Sequence, residues 1–128
     1  MDKTILIVDD DEMTLMLTES ILSTKYKTLK ALSGREALEI CETTHPDMIL
    51  ADLMMPEMNG FEMVDLLHEK YGKTIPVIFM TANESEEALF QGLGKGAVDF
   101  LRKPLKANVL LESIGNILAG LDAIRNNQ

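Results

Sequence analysis

An α/β fold, one parallel sheet with helices on both faces, is predicted by two features of the chain. Short apolar runs recur along it, and stretches of helical periodicity fill the gaps between them. Directly behind four of those runs stand carboxylates, a hydroxyl and an ammonium, where open α/β sheets gather their ligands.

Ile5-Leu6-Ile7-Val8 opens the series as a first strand, and Met48-Ile49-Leu50-Ala51 and Val77-Ile78-Phe79-Met80 repeat its unbroken apolar character. Unbroken runs fit strands buried on both faces. Val98-Asp99-Phe100-Leu101 carries one acid, and Lys27-Thr28-Leu29-Lys30-Ala31 alternates in a way that suits an edge strand. Between them, a helix near 12–24 places Met13, Leu17 and Ile21 four residues apart. Ser33-Gly34-Arg35-Glu36 has capping-box spacing for a helix running to about 43. Asn59-Gly60-Phe61-Glu62 opens a third helix with Gly72 near its end, and Asn83-Glu84-Ser85-Glu86 caps a fourth. A last helix from near Lys106 aligns Leu110, Ile114, Ile117 and Leu121.

The 128 residues, 46% of them hydrophobic, fit a single domain over 1–128, with 122–128 a polar tail or the start of a linker. No stretch reaches the roughly 18 uncharged apolar residues of a membrane span. The first residues, Met1-Asp2-Lys3-Thr4-Ile5, lack the basic flank and long apolar run of a signal peptide, so a soluble, cytoplasmic protein is expected. The single cysteine, Cys41, reads as a small buried helical residue. A net charge of -9 argues against nucleic-acid binding, which needs clustered cations, and fits a site that gathers carboxylates around a cation.

That site can be placed. Asp9, Asp10 and Asp11 follow the first strand, Asp52 and then Leu53-Met54-Met55-Pro56 the third, Thr81 the fourth, and Lys103-Pro104 the fifth. Asp11 and Glu12 are explained as caps of the first helix, but capping needs one acid and leaves Asp9 and Asp10 over. Asp9, Asp10 and Asp52 would repel one another unless a divalent cation relieved them. Oxygen ligands without a well-placed histidine select Mg²⁺, or Mn²⁺ in its place, over zinc.

Ile7-Val8-Asp9-Asp10 and the run Pro46-Asp47-Met48 through Asn59-Gly60 resemble the acidic-pair and phosphoacceptor signatures of response regulator receiver domains. Ile75-Pro76 through Thr81-Ala82 and Gly96-Ala97 through Lys103-Pro104 resemble that family's remaining two blocks, and the likeness runs from about residue 4 to 120. The resemblance implies a five-stranded, flavodoxin-like (βα)5 domain with strand order 2-1-3-4-5. It implies that Asp52 accepts a phosphoryl group, with Asp10, Asp52 and the Met54 main-chain carbonyl holding Mg²⁺ directly and Asp9 through water. Thr81 and Lys103 would assist, and Thr81 and Phe100 would form the switch that remodels the surface of the fourth helix, fifth strand and fifth helix.

The implied partners are a sensor histidine kinase or histidine phosphotransfer protein and a downstream effector or fused output domain, with homodimerisation through the switch surface also allowed. No membrane contact, no organic cofactor and no conventional turnover activity are implied. Phe100 stands where many relatives carry tyrosine, so a switch there rests on packing alone. Met54 and Asn83 lie two residues beyond Asp52 and Thr81, where side chains influence water access; methionine offers no group to orient water. The Lys–Pro step of the family is commonly cis.

Several other signals carry less. Gly92-Leu93-Gly94-Lys95-Gly96 leaves a helix for a strand, the reverse of a phosphate loop, and the histidines His45 and His68 have no ligand-spaced partners. Three rival functions share the architecture. A degenerate receiver acting as a phosphorylation-independent interaction module would have lost an acid, the threonine or the lysine. A flavin phosphate would be repelled by Asp9–Asp11, and an aspartate-nucleophile phosphatase would carry a second acid at position 54, which is Met54.

Overall fold

A computed structural model describes residues 3–72, 75–82 and 97–126. Five strands, β1 (Thr4–Val8), β2 (Lys27–Ala31), β3 (Met48–Asp52), β4 (Val77–Thr81) and β5 (Ala97–Arg102), form one parallel sheet in the order β2-β1-β3-β4-β5. Helices α1 (Glu12–Leu22), α2 (Gly34–Thr43) and α3 (Gly60–Tyr71) follow the first three strands, and a C-terminal helix spans Ala107–Asn126. The helix expected from Asn83 and the glycine run 92–96 lie outside the described residues.

Alternation within each strand divides the core between the two faces. Leu6, Val8, Ile49, Ala51, Val77 and Phe79 pack with α2 and α3. Ile5, Ile7, Met48, Leu50, Ile78 and Met80 face α1 and the C-terminal helix. One extra residue in β5 keeps this pattern in step: Val77 pairs with Ala97 but Ile78 with Asp99, leaving Val98 as a bulge. Phe100 then joins the first cluster and Leu101 the second.

Local chemistry fixes the helix starts. Asp11 caps α1, accepting from the Met13 N–H (3.3 Å) and the Thr14 hydroxyl (2.6 Å). Ser33 caps α2, and Asn59 and Glu62 exchange both hydrogen bonds of a capping box on α3. Gly72 ends α3 in the left-handed conformation (φ 61°), where glycine is unstrained.

The stripe read on α1 is corrected by the structure. Met13 and Leu17 stand 65% and 60% exposed, while Leu15, Thr18 and Leu22 are buried. Apolar residues surround this helix, so a four-residue spacing alone does not select the buried face. The C-terminal helix buries Leu110, Ile114 and Leu118. Its segment Ala107–Ile124 is long and apolar enough to cross a membrane (mean hydropathy 1.3), but here its apolar stripe packs on the sheet.

Candidate functional site

Backbone hydrogen bonds tie neighbouring strands together where the strands end. The Asp9 N–H donates to the Ala31 carbonyl (3.1 Å), Leu53 N–H to Met80 (2.9 Å) and Lys103 N–H to Thr81 (2.8 Å). At this edge Asp9, Asp10 and Asp52 each offer a carboxylate oxygen, all within 4.8 Å of one another. Asp9 is fully buried and Asp52 8% exposed, whereas Asp10 faces solvent.

Lys103 answers part of that negative charge. Its Nζ lies 3.0 Å from Asp9 Oδ2 and 3.4 Å from Asp52 Oδ2. The Lys103–Pro104 peptide is cis. The other Asp9 oxygen accepts the Asp11 N–H at 2.9 Å. Thr81 is fully buried, one residue beyond Met80, the β4 partner of Asp52. Its hydroxyl has no hydrogen-bond partner among the described residues. A buried hydroxyl without a partner is costly and marks a place where a further group can bind.

These neighbours set the titration of Asp52. Burial, the largest influence, raises its carboxyl pKa; the Lys103 charge lowers it, the Asp9 charge raises it, and the outcome is about 6. Burial works to lower the Lys103 pKa, but the contacts with Asp9 and Asp52 more than offset it and the ammonium is held above its ordinary range. Three acids against one lysine leave an excess of negative charge, which an oxygen-seeking divalent cation neutralises.

The loop from β3 to α3 leaves the site directly after Asp52. Gly60 N–H donates to the Leu53 carbonyl at 2.8 Å, and glycine is required there. A Cβ on Gly60 would lie 2.6 Å from the Phe79 ring and 3.2 Å from the Asp52 carbonyl. Of the residues predicted from sequence, Asp9, Asp10, Asp52 and Lys103 are brought into one cluster, with Thr81 on the adjoining strand end. Phe100 lies apart from it, packed on Phe79 with ring centroids 5.9 Å apart, and Met54 presents a half-exposed side chain. Asn83 is outside the described residues. Sequence reasoning missed Gly60, Gly34 and Glu57 as shapers of this loop: Asn59-Gly60 reads as a helix start and as the end of the phosphoacceptor block, and neither reading discloses the packing of Gly60 on Phe79.

A parallel five-stranded domain with an acidic cleft at its strand ends defines a class, and comparison with known proteins gives it a family. The chain matches the family described as the response regulator receiver domain over residues 5–115, and it belongs to that family. It is 35% identical over 118 residues to protein PilH of Pseudomonas aeruginosa, covering 91% of this chain and 98% of that protein. It is 33% identical to the polar-differentiation response regulator DivK of Brucella ovis, covering 92% and 98%. A probable cyclic di-GMP phosphodiesterase of Vibrio cholerae is 38% identical over 108 residues, 84% of this chain but only 24% of that longer protein. Among solved structures, a putative response regulator from Chloroflexus aurantiacus superposes with a TM-score of 0.82 at 32% identity, covering 93% of this chain and 99% of the other. The chain is thus a receiver domain of two-component signalling.

Proposed function

We propose that this receiver works by phosphorylation of Asp52, taking the phosphoryl group from a phosphohistidine on a sensor histidine kinase or histidine phosphotransfer protein. The observation that carries the reading is the placement of Asp52. It is a nearly buried carboxylate among Asp9, Asp10 and Lys103, beside a strand end whose Thr81 hydroxyl has no partner among the described residues. In the reaction the P–N bond to the donor imidazole breaks as a bond forms from phosphorus to a carboxylate oxygen of Asp52, and the imidazole leaves to take up a proton. Such transfers need in-line positioning and neutralisation of the equatorial oxygens more than covalent assistance.

Asp10, Asp52 and the Met54 main-chain carbonyl would hold Mg²⁺ or Mn²⁺ directly, with Asp9 acting through water. The bound ion supplies neutralisation of the phosphoryl charge. Lys103, already held between Asp9 and Asp52, places its ammonium against the oxygens that arrive on Asp52. The Thr81 hydroxyl donates to these oxygens, and Phe100, packed on Phe79, responds by repacking. The remodelled surface, made by the segment after Thr81, β5 and the C-terminal helix, is then read by an effector or a fused output domain, or by a second copy of the chain.

In this reading residues 1–128 are one receiver domain acting in the cytoplasm, with 122–128 leading into a tail or linker. It binds neither nucleic acid nor membrane and turns nothing over except its own phosphoryl group. Incubation with Mg²⁺ and a small acyl-phosphate donor, followed by intact-mass measurement, tests it. One added phosphoryl group that requires Mg²⁺ and disappears in Asp52→Asn is expected; no adduct, or one that persists in the variant, overturns it.

A further inference from the structure

We propose that Gly34 and Met58 are positioning residues for the cation: Met58, seated on Gly34 at the start of α2, holds the β3–α3 loop in the shape that presents the Met54 carbonyl. The inference rests on the Mg²⁺ reading above. At its base Leu53 is fully buried and bonded to both neighbours, its N–H to Met80 (2.9 Å) and its carbonyl to the Gly60 N–H (2.8 Å). Met55, 8% exposed, anchors the next turn in the core.

Beyond that anchor the chain reverses over three residues. Met58 N–H donates to the Pro56 carbonyl at 2.7 Å across Glu57, whose φ is +67°. A reversal of this kind at a residue with a Cβ is strained and persists only where its flanks are held. Proline fixes one flank through its ring. On the other, the Asn59–Glu62 capping box fixes the entry to α3, which leaves Met58 as the link between strained turn and cap.

Met58 finds its seat on Gly34. A Cβ at Gly34 would lie 2.6 Å from Met58 Sδ, 3.1 Å from Cγ and 3.3 Å from Cβ, so the side chain runs its whole length along the glycine. The positive-φ glycine among the described residues is Gly72, so Gly34, the first residue of α2, is not there for a left-handed backbone. Its reason is therefore space for Met58. A side-chain ligand displaced slightly can recover through its rotamer, but a main-chain carbonyl moves only with its loop. Mg²⁺ demands near-ideal octahedral geometry, so a shift in this loop is felt at the ion.

Titrating MgCl2 into ¹⁵N-labelled protein, and following the amides of Asp9, Asp10 and Asp52, reads the affinity directly. Gly34→Ala and Met58→Ala should each weaken Mg²⁺ binding by about tenfold, the lower end of what outer-shell changes do to metal sites. Met58→Leu should stay near wild type, and the double variant should bind no more weakly than Met58→Ala alone, since both remove one contact. Met63→Ala is the control for general loosening: Met63 is fully buried in the same core but on α3, and its loss should lower the melting temperature without changing Mg²⁺ affinity. Wild-type affinity in both Gly34→Ala and Met58→Ala, or equal weakening in Met63→Ala, overturns the inference alone. A wild-type protein without a saturable Mg²⁺ response overturns the inference together with the reading beneath it.

Discussion

Replacing Asp52 by asparagine should stabilise the metal-free fold at neutral pH while removing its proposed chemistry. Asparagine keeps the shape of the side chain and drops the charge that burial and Asp9 disfavour. Folding moves the carboxyl pKa from 3.8 to about 6, with the attraction of Lys103 already included. At about 1.36 kcal/mol per pH unit the charge costs the native state up to about 3 kcal/mol. Solvent does little to relieve this, because the Asp52 side chain is only 11% exposed. For a domain of this size the gain corresponds to a melting temperature about 6–10 °C higher.

The sign with pH follows from a raised acid pKa: the native state binds the proton more tightly than the unfolded chain. Stability associated with this group is fully present below about pH 4 and is lost as pH rises through about 6. Wild type and Asp52→Asn should therefore melt together near pH 4, separate between pH 4 and 6, and stay apart above it. Circular-dichroism melts in EDTA measure this, and Mg²⁺ should narrow the gap by stabilising the wild type. Parallel profiles across the range, or a less stable variant at pH 7, would refute the electrostatic reasoning.

Three further outcomes are expected. Lys103→Ala strips the fully buried Asp9 of an ammonium 3.0 Å away and should cost about 3 kcal/mol in urea unfolding at pH 7; an unchanged midpoint would count against the pair. Gly60→Ala drives a Cβ to 2.6 Å from the fully buried Phe79 ring and should cost about 2 kcal/mol by the same assay. Met54→Asn, at a half-exposed position two residues beyond Asp52, should shorten the lifetime of the phosphorylated protein by offering a group that orients water; equal lifetimes would discard that role.

Much of the architecture was legible because buried strands announce themselves by composition. Ile5–Val8, Met48–Ala51 and Val77–Met80 became β1, β3 and β4 within a residue at either end, and the alternating Lys27–Ala31 became the edge strand β2. The placement of Asp9, Asp52, Thr81 and Lys103 followed, since a residue just past a parallel strand has one edge of the sheet to occupy. Orientation on α1 was not legible: with Met13, Leu15, Met16, Leu17, Ile21 and Leu22 all apolar, the buried face is chosen by the sheet and not by the spacing. Nor could the chain disclose the bulge at Val98, the strained turn at Glu57 or the seat of Met58 on Gly34, which depend on segments distant in sequence meeting in space.

The role of Asp52 is tested most directly by chemistry that marks the site of an acyl phosphate. After exposure to Mg²⁺ and acetyl phosphate, reduction with borohydride converts a phosphorylated aspartate to homoserine, and peptide mapping finds the converted residue. The account predicts homoserine at position 52 and at no other aspartate, dependent on Mg²⁺. Conversion at Asp9 or Asp10, or no conversion at Asp52 under conditions that phosphorylate a known receiver, would contradict it.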